Sequence, residues 1–90
     1  MTATREEVYE AIDGERDYQD GRWNESTTTS AGVHSVTEFV LYMEHYLTET
    51  RRLLSTQGSP KADQDGLDFI RKVTALGVAC MEQNGVVKRK

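Results

Sequence analysis

Between residues 35 and 54 the chain reads SVTEFVLYMEHYLTETRRLL, where Val36, Val40, Met43, Leu47, Thr50 and Leu54 recur at alternating spacings of four and three. Only a helix brings such positions onto one side, because a strand alternates every second residue. Phe39, Tyr46 and Leu53 widen the stripe along one edge. The start of the helix is also written in the sequence. Ser35 followed three residues later by Glu38 is a capping box, in which each side chain accepts from the other residue's backbone amide. Gly58 and Pro60 mark its end.

Two further helices flank this one. Thr4 and Glu7 form a second capping box and open a helix over about residues 5–20, with Val8, Ala11, Ile12 and Tyr18 as the expected buried set. Gly14 weakens its middle by roughly 1 kcal/mol relative to alanine, and Gly21 is expected to end or bend it. Residues 24–34, NESTTTSAGVH, carry no period of either kind and read as a long polar loop. The third helix is expected over 60–83, with Ser59 as its cap, Pro60 in its first position, and Asn84 and Gly85 closing it. Leu67, Phe69, Ile70, Val73, Leu76, Val78, Cys80 and Met81 cover more than half its circumference, so this helix should face two neighbours, or one neighbour and another subunit. Ala75, Gly77 and Ala79 are small enough to admit a close crossing. The expected fold is all-α: one domain over residues 1–90, a three-helix antiparallel bundle or hairpin with a long polar loop between helices 1 and 2 and a solvated basic tail over 86–90.

A chain of 90 residues buries a modest share of its surface, so self-association into a homo-oligomer is expected. The net charge of −4 argues against duplex nucleic acid as a partner, since that binding rests on many phosphate neutralisations. It leaves room for a small nucleotide. The single cysteine, Cys80, sits in an apolar helical run and reads as a structural thiol. With neither a hydrophobic signal core nor a long apolar run, a cytoplasmic protein without a membrane partner is expected.

The densest cluster of chemistry is E-R-x-Y-Q-D-x-R-W at residues 15–23. Its bland reading is a set of i,i+4 surface pairs, Glu15 with Gln19 and Arg16 with Asp20, beside a tryptophan plug. Its functional reading is a nucleotide site, with arginine for phosphate, an aromatic plane for the base and amide or carboxylate groups for its edge. On the second helix Glu38, His45, Glu49 and Arg52 form a polar line, where His45 and Glu49 have metal-ligand spacing but lack a third ligand. The third helix opens with Asp63, Asp65 and Asp68, which suit the helix dipole. Asp65 and Asp68 are also suited to one magnesium ion. Arg71 and Lys72 follow, either of which could join Arg16 or Arg22 on a phosphate.

The order I-x-x-E-R-x-x-Q-D-x-x-W, here Ile12, Glu15, Arg16, Gln19, Asp20 and Trp23, precedes a loop, an acidic helix and the run I-R-K-V-T-A-L-G-V-A-C-M-E. This pattern resembles the small phage-encoded MazG-like proteins, which are similar to the all-α nucleoside triphosphate pyrophosphohydrolases. The resemblance covers most of the chain and implies an oligomeric helical protein that uses magnesium held by carboxylates. The family's E-E-x-x-E run is replaced here by Glu38, Glu44 and Glu49 on different turns, and the places of its later E-x-x-D fall on Phe69 and Lys72.

Three functions therefore compete. A magnesium-dependent pyrophosphohydrolase would use Glu38, Glu49, Asp65 and Asp68 as metal ligands. A non-catalytic nucleotide binder, in its most concrete form a phage anti-defence sponge that sequesters a host immune-signalling nucleotide, would use Arg16, Tyr18, Gln19, Asp20, Arg22, Trp23, Arg71 and Lys72 without any cofactor. A helical protein-interaction module would use neither set. The dispersed carboxylates and gathered cations favour the binder, with Arg16 and Lys72 on phosphate, Trp23 or Tyr18 stacking the base, Gln19 or Asp20 reading its edge, and the hydroxyls of 27–30 closing over the ligand.

Overall fold

The computed structural model describes residues 2–23, 32–57 and 60–90, and all of its regular structure there is helical. Helix α1 spans Arg5–Arg22, α2 spans Val36–Gln57 and α3 spans Pro60–Asn84. Both capping boxes form. The Glu7 amide donates to Thr4 Oγ1 at 3.1 Å while the Thr4 amide donates to Glu7 Oε1 at 3.1 Å. At α2 the same exchange joins Ser35 and Glu38 at 3.0 and 3.2 Å. Gly85 closes α3 as expected, with φ at 103° and its amide donating to the Met81 carbonyl; that left-handed conformation suits a residue without Cβ. The expected stop at Gly58, the cap at Ser59 and residues 24–31 of the polar loop lie outside the described residues.

Gly21 does not end α1. The helix continues to Arg22, and the Trp23 amide still reaches the Gln19 carbonyl at 2.8 Å. The cost of one glycine is outweighed where the flanking side chains, here Gln19 and Trp23, are held by the rest of the protein.

Helix α3 is the spine. Both α1 and α2 pack against it, whereas among the described residues no Cα of α1 comes within 8 Å of one in α2. Leu54 and Met43 of α2 lie over Gly66 and Gly77 of α3, so those two helices run antiparallel. The core is Phe39, Leu76 and Ala79, with Trp23, Met43, Tyr46 and Cys80 partly buried against it. Ala75 is fully buried too, so two of the three small residues lie inside, while Gly77 faces Met43 of α2.

The inward faces differ from the expected ones in three places. On α2 the inward line is Phe39 and Thr50, which are buried, with Met43, Tyr46 and Leu53 partly buried, and Val36, Val40, Leu47 and Leu54 are left about half exposed. The apolar arc is wider than the contact with one neighbour, and the Phe39–Leu53 edge wins it because the larger rings bury more area. On α3, Leu67, Ile70 and Met81 are exposed for the same geometric reason, since α1 and α2 leave one side of the spine uncovered. On α1, of the four residues expected inside, only Ile12 is buried. Val8, Ala11 and Tyr18 are exposed, and Glu15, Arg16 and Gln19 take the inward places. That face is polar because α3 supplies partners for it.

Candidate ligand cleft

A cleft of about 680 Å³ opens where the end of α1, the first half of α2 and the last turns of α3 converge. Its size lies within the range of small-molecule sites. Arg16, Gln19, Asp20 and Trp23 line one wall, and His34, Glu38, Phe39, Tyr42, His45 and Tyr46 line the other. Leu76, Ala79 and Gln83 of α3 contribute too.

Arg16 is the keystone of the first wall. All three guanidinium nitrogens donate to protein oxygens: Nε to Glu82 Oε1 at 2.6 Å, one terminal nitrogen to Gln19 Oε1 at 3.2 Å, and the other to Asp20 Oδ1 at 2.8 Å. Burial is the largest single effect on its pKa and acts downward, but the hydrogen bonds and charges of Glu82 and Asp20 together outweigh it and the net shift is upward. Gln19 is fixed in turn, because its Nε2 donates to the Lys72 carbonyl at 3.3 Å.

Gln83 ties in the second wall. Its Nε2 donates to the Gly32 carbonyl and its Oε1 accepts from the His34 amide, both at 2.8 Å, while Asn84 Nδ2 donates to the His34 carbonyl at 3.1 Å. The His34 ring stands edge-on to Phe39 and Tyr42, with centroids at 5.7 and 5.2 Å, and its Nδ1 lies 3.3 Å from Glu38 Oε2. The Glu38 carboxyl is held below its ordinary value by the Ser35 backbone amide first, then by hydrogen bonds with His34 and the Ser35 side chain.

Of the residues expected to bind a nucleotide, Arg16, Gln19, Asp20 and Trp23 do meet in the cleft. Tyr18 and Arg22 are exposed on α1 and do not line it. Arg71 and Lys72 are also elsewhere. Arg71 is bonded to Glu15 at 2.8 Å and to Asp68, and Lys72 lies 3.2 Å from Asp68 with its ammonium 5.2 Å from the Phe69 ring centroid. The pairing of Arg16 with Lys72 on one phosphate is therefore not assembled, because carboxylates already occupy both cations. The hydroxyls of 27–30 fall outside the described residues.

The alternative metal ligands are spread as widely. Glu38 lies in the cleft, Glu49 is 3.5 Å from Arg52, Asp65 is 3.4 Å from Lys61, and Asp68 is with Arg71 and Lys72. Among the described residues no group of three or more His, Cys, Asp and Glu side chains is placed to hold a metal ion. Sequence reasoning missed His34, Tyr42 and Gln83 as cleft residues. The available signal was their place near the ends of α2 and α3, which an antiparallel pair brings together.

No family model, curated protein or solved structure matches the chain. The likeness to the MazG-like proteins thus rests on the motif residues alone. No helix among the described residues is long and apolar enough to cross a membrane.

Proposed function

We propose that the protein is a non-catalytic binder of a small nucleotide or nucleoside, taken into the cleft base-first. The observation that carries this reading is the balance of the cleft's side chains. Its one arginine already gives a hydrogen bond from each of its three nitrogens to protein oxygens, whereas the hydroxyls of Tyr42 and Tyr46, the ring nitrogens of His45 and the second carboxylate oxygen of Asp20 make no hydrogen bond among the described residues. Aromatic faces with free polar groups at their edges suit a planar ring that carries N–H donors. With Asp20 and Glu38 present, a phosphate belongs at the open mouth and not at the floor. Binding of this kind needs no metal cage, and a binder that leaves its ligand intact acts by sequestering it, as the resemblance to phage proteins suggests for an immune-signalling nucleotide.

The test is a panel of nucleosides, nucleoside triphosphates and cyclic nucleotides, with and without magnesium, read by melting temperature and by chromatography of each ligand. A ligand bound to the native state raises the melting temperature, and the expected result is a shift of similar size for a nucleoside and its triphosphate, with the ligand recovered intact. Tyr42→Ala should weaken binding roughly ten-fold or more, the scale of one lost base–aromatic stack. Magnesium-dependent release of pyrophosphate would overturn the non-catalytic reading. A panel with no shift at millimolar concentration would sink the site itself.

A further inference from the structure

Asp20 and Glu38 are the two carboxylates that line the cleft, and they differ in what they have left to offer. Both Glu38 oxygens are engaged: Oε1 accepts from the Ser35 amide at 3.0 Å, and Oε2 lies 3.3 Å from His34 Nδ1. Asp20 meets Arg16 through Oδ1 alone, at 2.8 Å, and its Oδ2 makes no hydrogen bond among the described residues. The Asp20 side chain is 69% exposed, so this carboxylate is open to whatever enters the cleft.

An ionised carboxylate accepts hydrogen bonds and donates none, and it pairs best with two N–H groups side by side. Among the common bases only guanine carries such a pair on its Watson–Crick edge, N1–H next to the 2-amino group. Adenine and cytosine set a ring-nitrogen acceptor beside their amino group, and uracil flanks its single N–H with two carbonyls. Each of those three would turn a lone pair toward the second carboxylate oxygen, and a site that hydrogen-bonds its ligand rejects an analogue that leaves it mismatched. A cationic ligand fits less well than a neutral one, because the Arg16 guanidinium already shares Asp20 and like charges oppose each other.

We infer that the cleft selects guanine nucleotides, with the Asp20 carboxylate accepting from N1–H and the 2-amino group of the base. The inference rests on the nucleotide reading of the cleft and adds the identity of the base and the residue that chooses it.

Calorimetric titration of the full chain with GMP, IMP, XMP, AMP, CMP and UMP tests it. GMP should bind roughly ten-fold or more tightly than AMP, CMP or UMP, the scale on which one bidentate pair discriminates between bases. IMP keeps N1–H but lacks the 2-amino group and should fall between. Asp20→Asn keeps an oxygen for Arg16 and replaces the other acceptor by a donor, which suits xanthine, where a carbonyl stands in place of the 2-amino group. The variant should therefore lose roughly ten-fold for GMP and bind XMP more tightly than the parent does, an exchange that a merely structural role for Asp20 would not produce. Circular dichroism checks that the variant keeps its fold. Equal affinity of the parent for GMP and AMP, or an Asp20→Asn protein that still prefers GMP, would overturn the choice of guanine and leave the nucleotide reading standing. A parent that binds none of the six at millimolar concentration would overturn both.

Discussion

Arg16 Nε lies 2.6 Å from Glu82 Oε1, and this bond joins the first helix to the last turns of the third across 66 positions of sequence. It fixes the angle at which the end of α1 meets α3, and so the position of the wall that Arg16, Gln19 and Trp23 give the cleft. Glu82 is about half exposed, so the bond's net worth is discounted by solvent. Glu82→Gln should cost on the order of 1 kcal/mol in denaturant unfolding. Arg16→Met should cost about 2 kcal/mol, since it strands buried Gln19 as well. Equal losses for the two variants would mean that Gln19 and Asp20 contribute nothing to holding the guanidinium.

The core between α2 and α3, where Leu76 meets Phe39, can be tested by size. Leu76→Ala removes the largest fully buried side chain and should cost about 3 kcal/mol. Leu47→Ala, at a side chain 46% exposed, should cost less than about 1 kcal/mol. Reversed values from urea titrations would place the core on the Val40–Leu47 edge.

Local signals were legible wherever one short segment decides the outcome. Both capping boxes, the proline that opens α3 and the glycine that closes it act through atoms a few residues apart, and each forms as read. Which edge of an over-wide apolar arc turns inward is decided by the neighbouring helix, so Phe39 and Leu47 could not be ranked from periodicity. The cleft was half legible for the same reason. Arg16, Gln19, Asp20 and Trp23 stand together in sequence, while Tyr42 and Gln83 join them only once α2 and α3 lie antiparallel. Nor does sequence show that Glu82 and Glu15, far along the chain from Arg16 and Arg71 respectively, fill the places where a ligand's charge was expected.

Acid should weaken the charge cluster that Asp68 forms with Arg71 and Lys72 along α3. Asp68 lies below its ordinary value of 3.8; burial, the largest effect, pushes it up, but hydrogen bonds and charges from Lys72 and Arg71 prevail. A carboxyl whose folded value is depressed binds protons more readily when unfolded. Its contribution is therefore complete above about pH 4 and is lost as pH falls through the lower folded value. Asp68→Asn should flatten that part of the stability profile below pH 4 and leave the profile from pH 6 to 8 parallel to the parent's. An unchanged acid limb in the variant would show that Glu7 and Glu38, also depressed, carry the whole dependence.

Gln83 separates holding the cleft wall from merely touching it. Its amide donates to the Gly32 carbonyl and accepts from the His34 amide, so one side chain satisfies the backbone on both sides of Val33. Gln83→Glu keeps an acceptor for the His34 amide but sets a carboxylate oxygen against the Gly32 carbonyl, whereas Gln83→Ala removes both bonds. Exposed bonds of this kind are worth about 0.5–1 kcal/mol each. Alanine should therefore lower stability by about 1 kcal/mol, and amide exchange at His34 should rise in both variants, more in alanine. The consequence for binding is larger than the consequence for folding. His34 rests edge-on against Tyr42, so releasing the 32–34 segment frees the ring that the base is proposed to meet. If the alanine variant exchanged faster at His34 yet bound the ligand as the parent does, the second wall would be a bystander and the contacts would lie with Trp23 and Asp20 on the first.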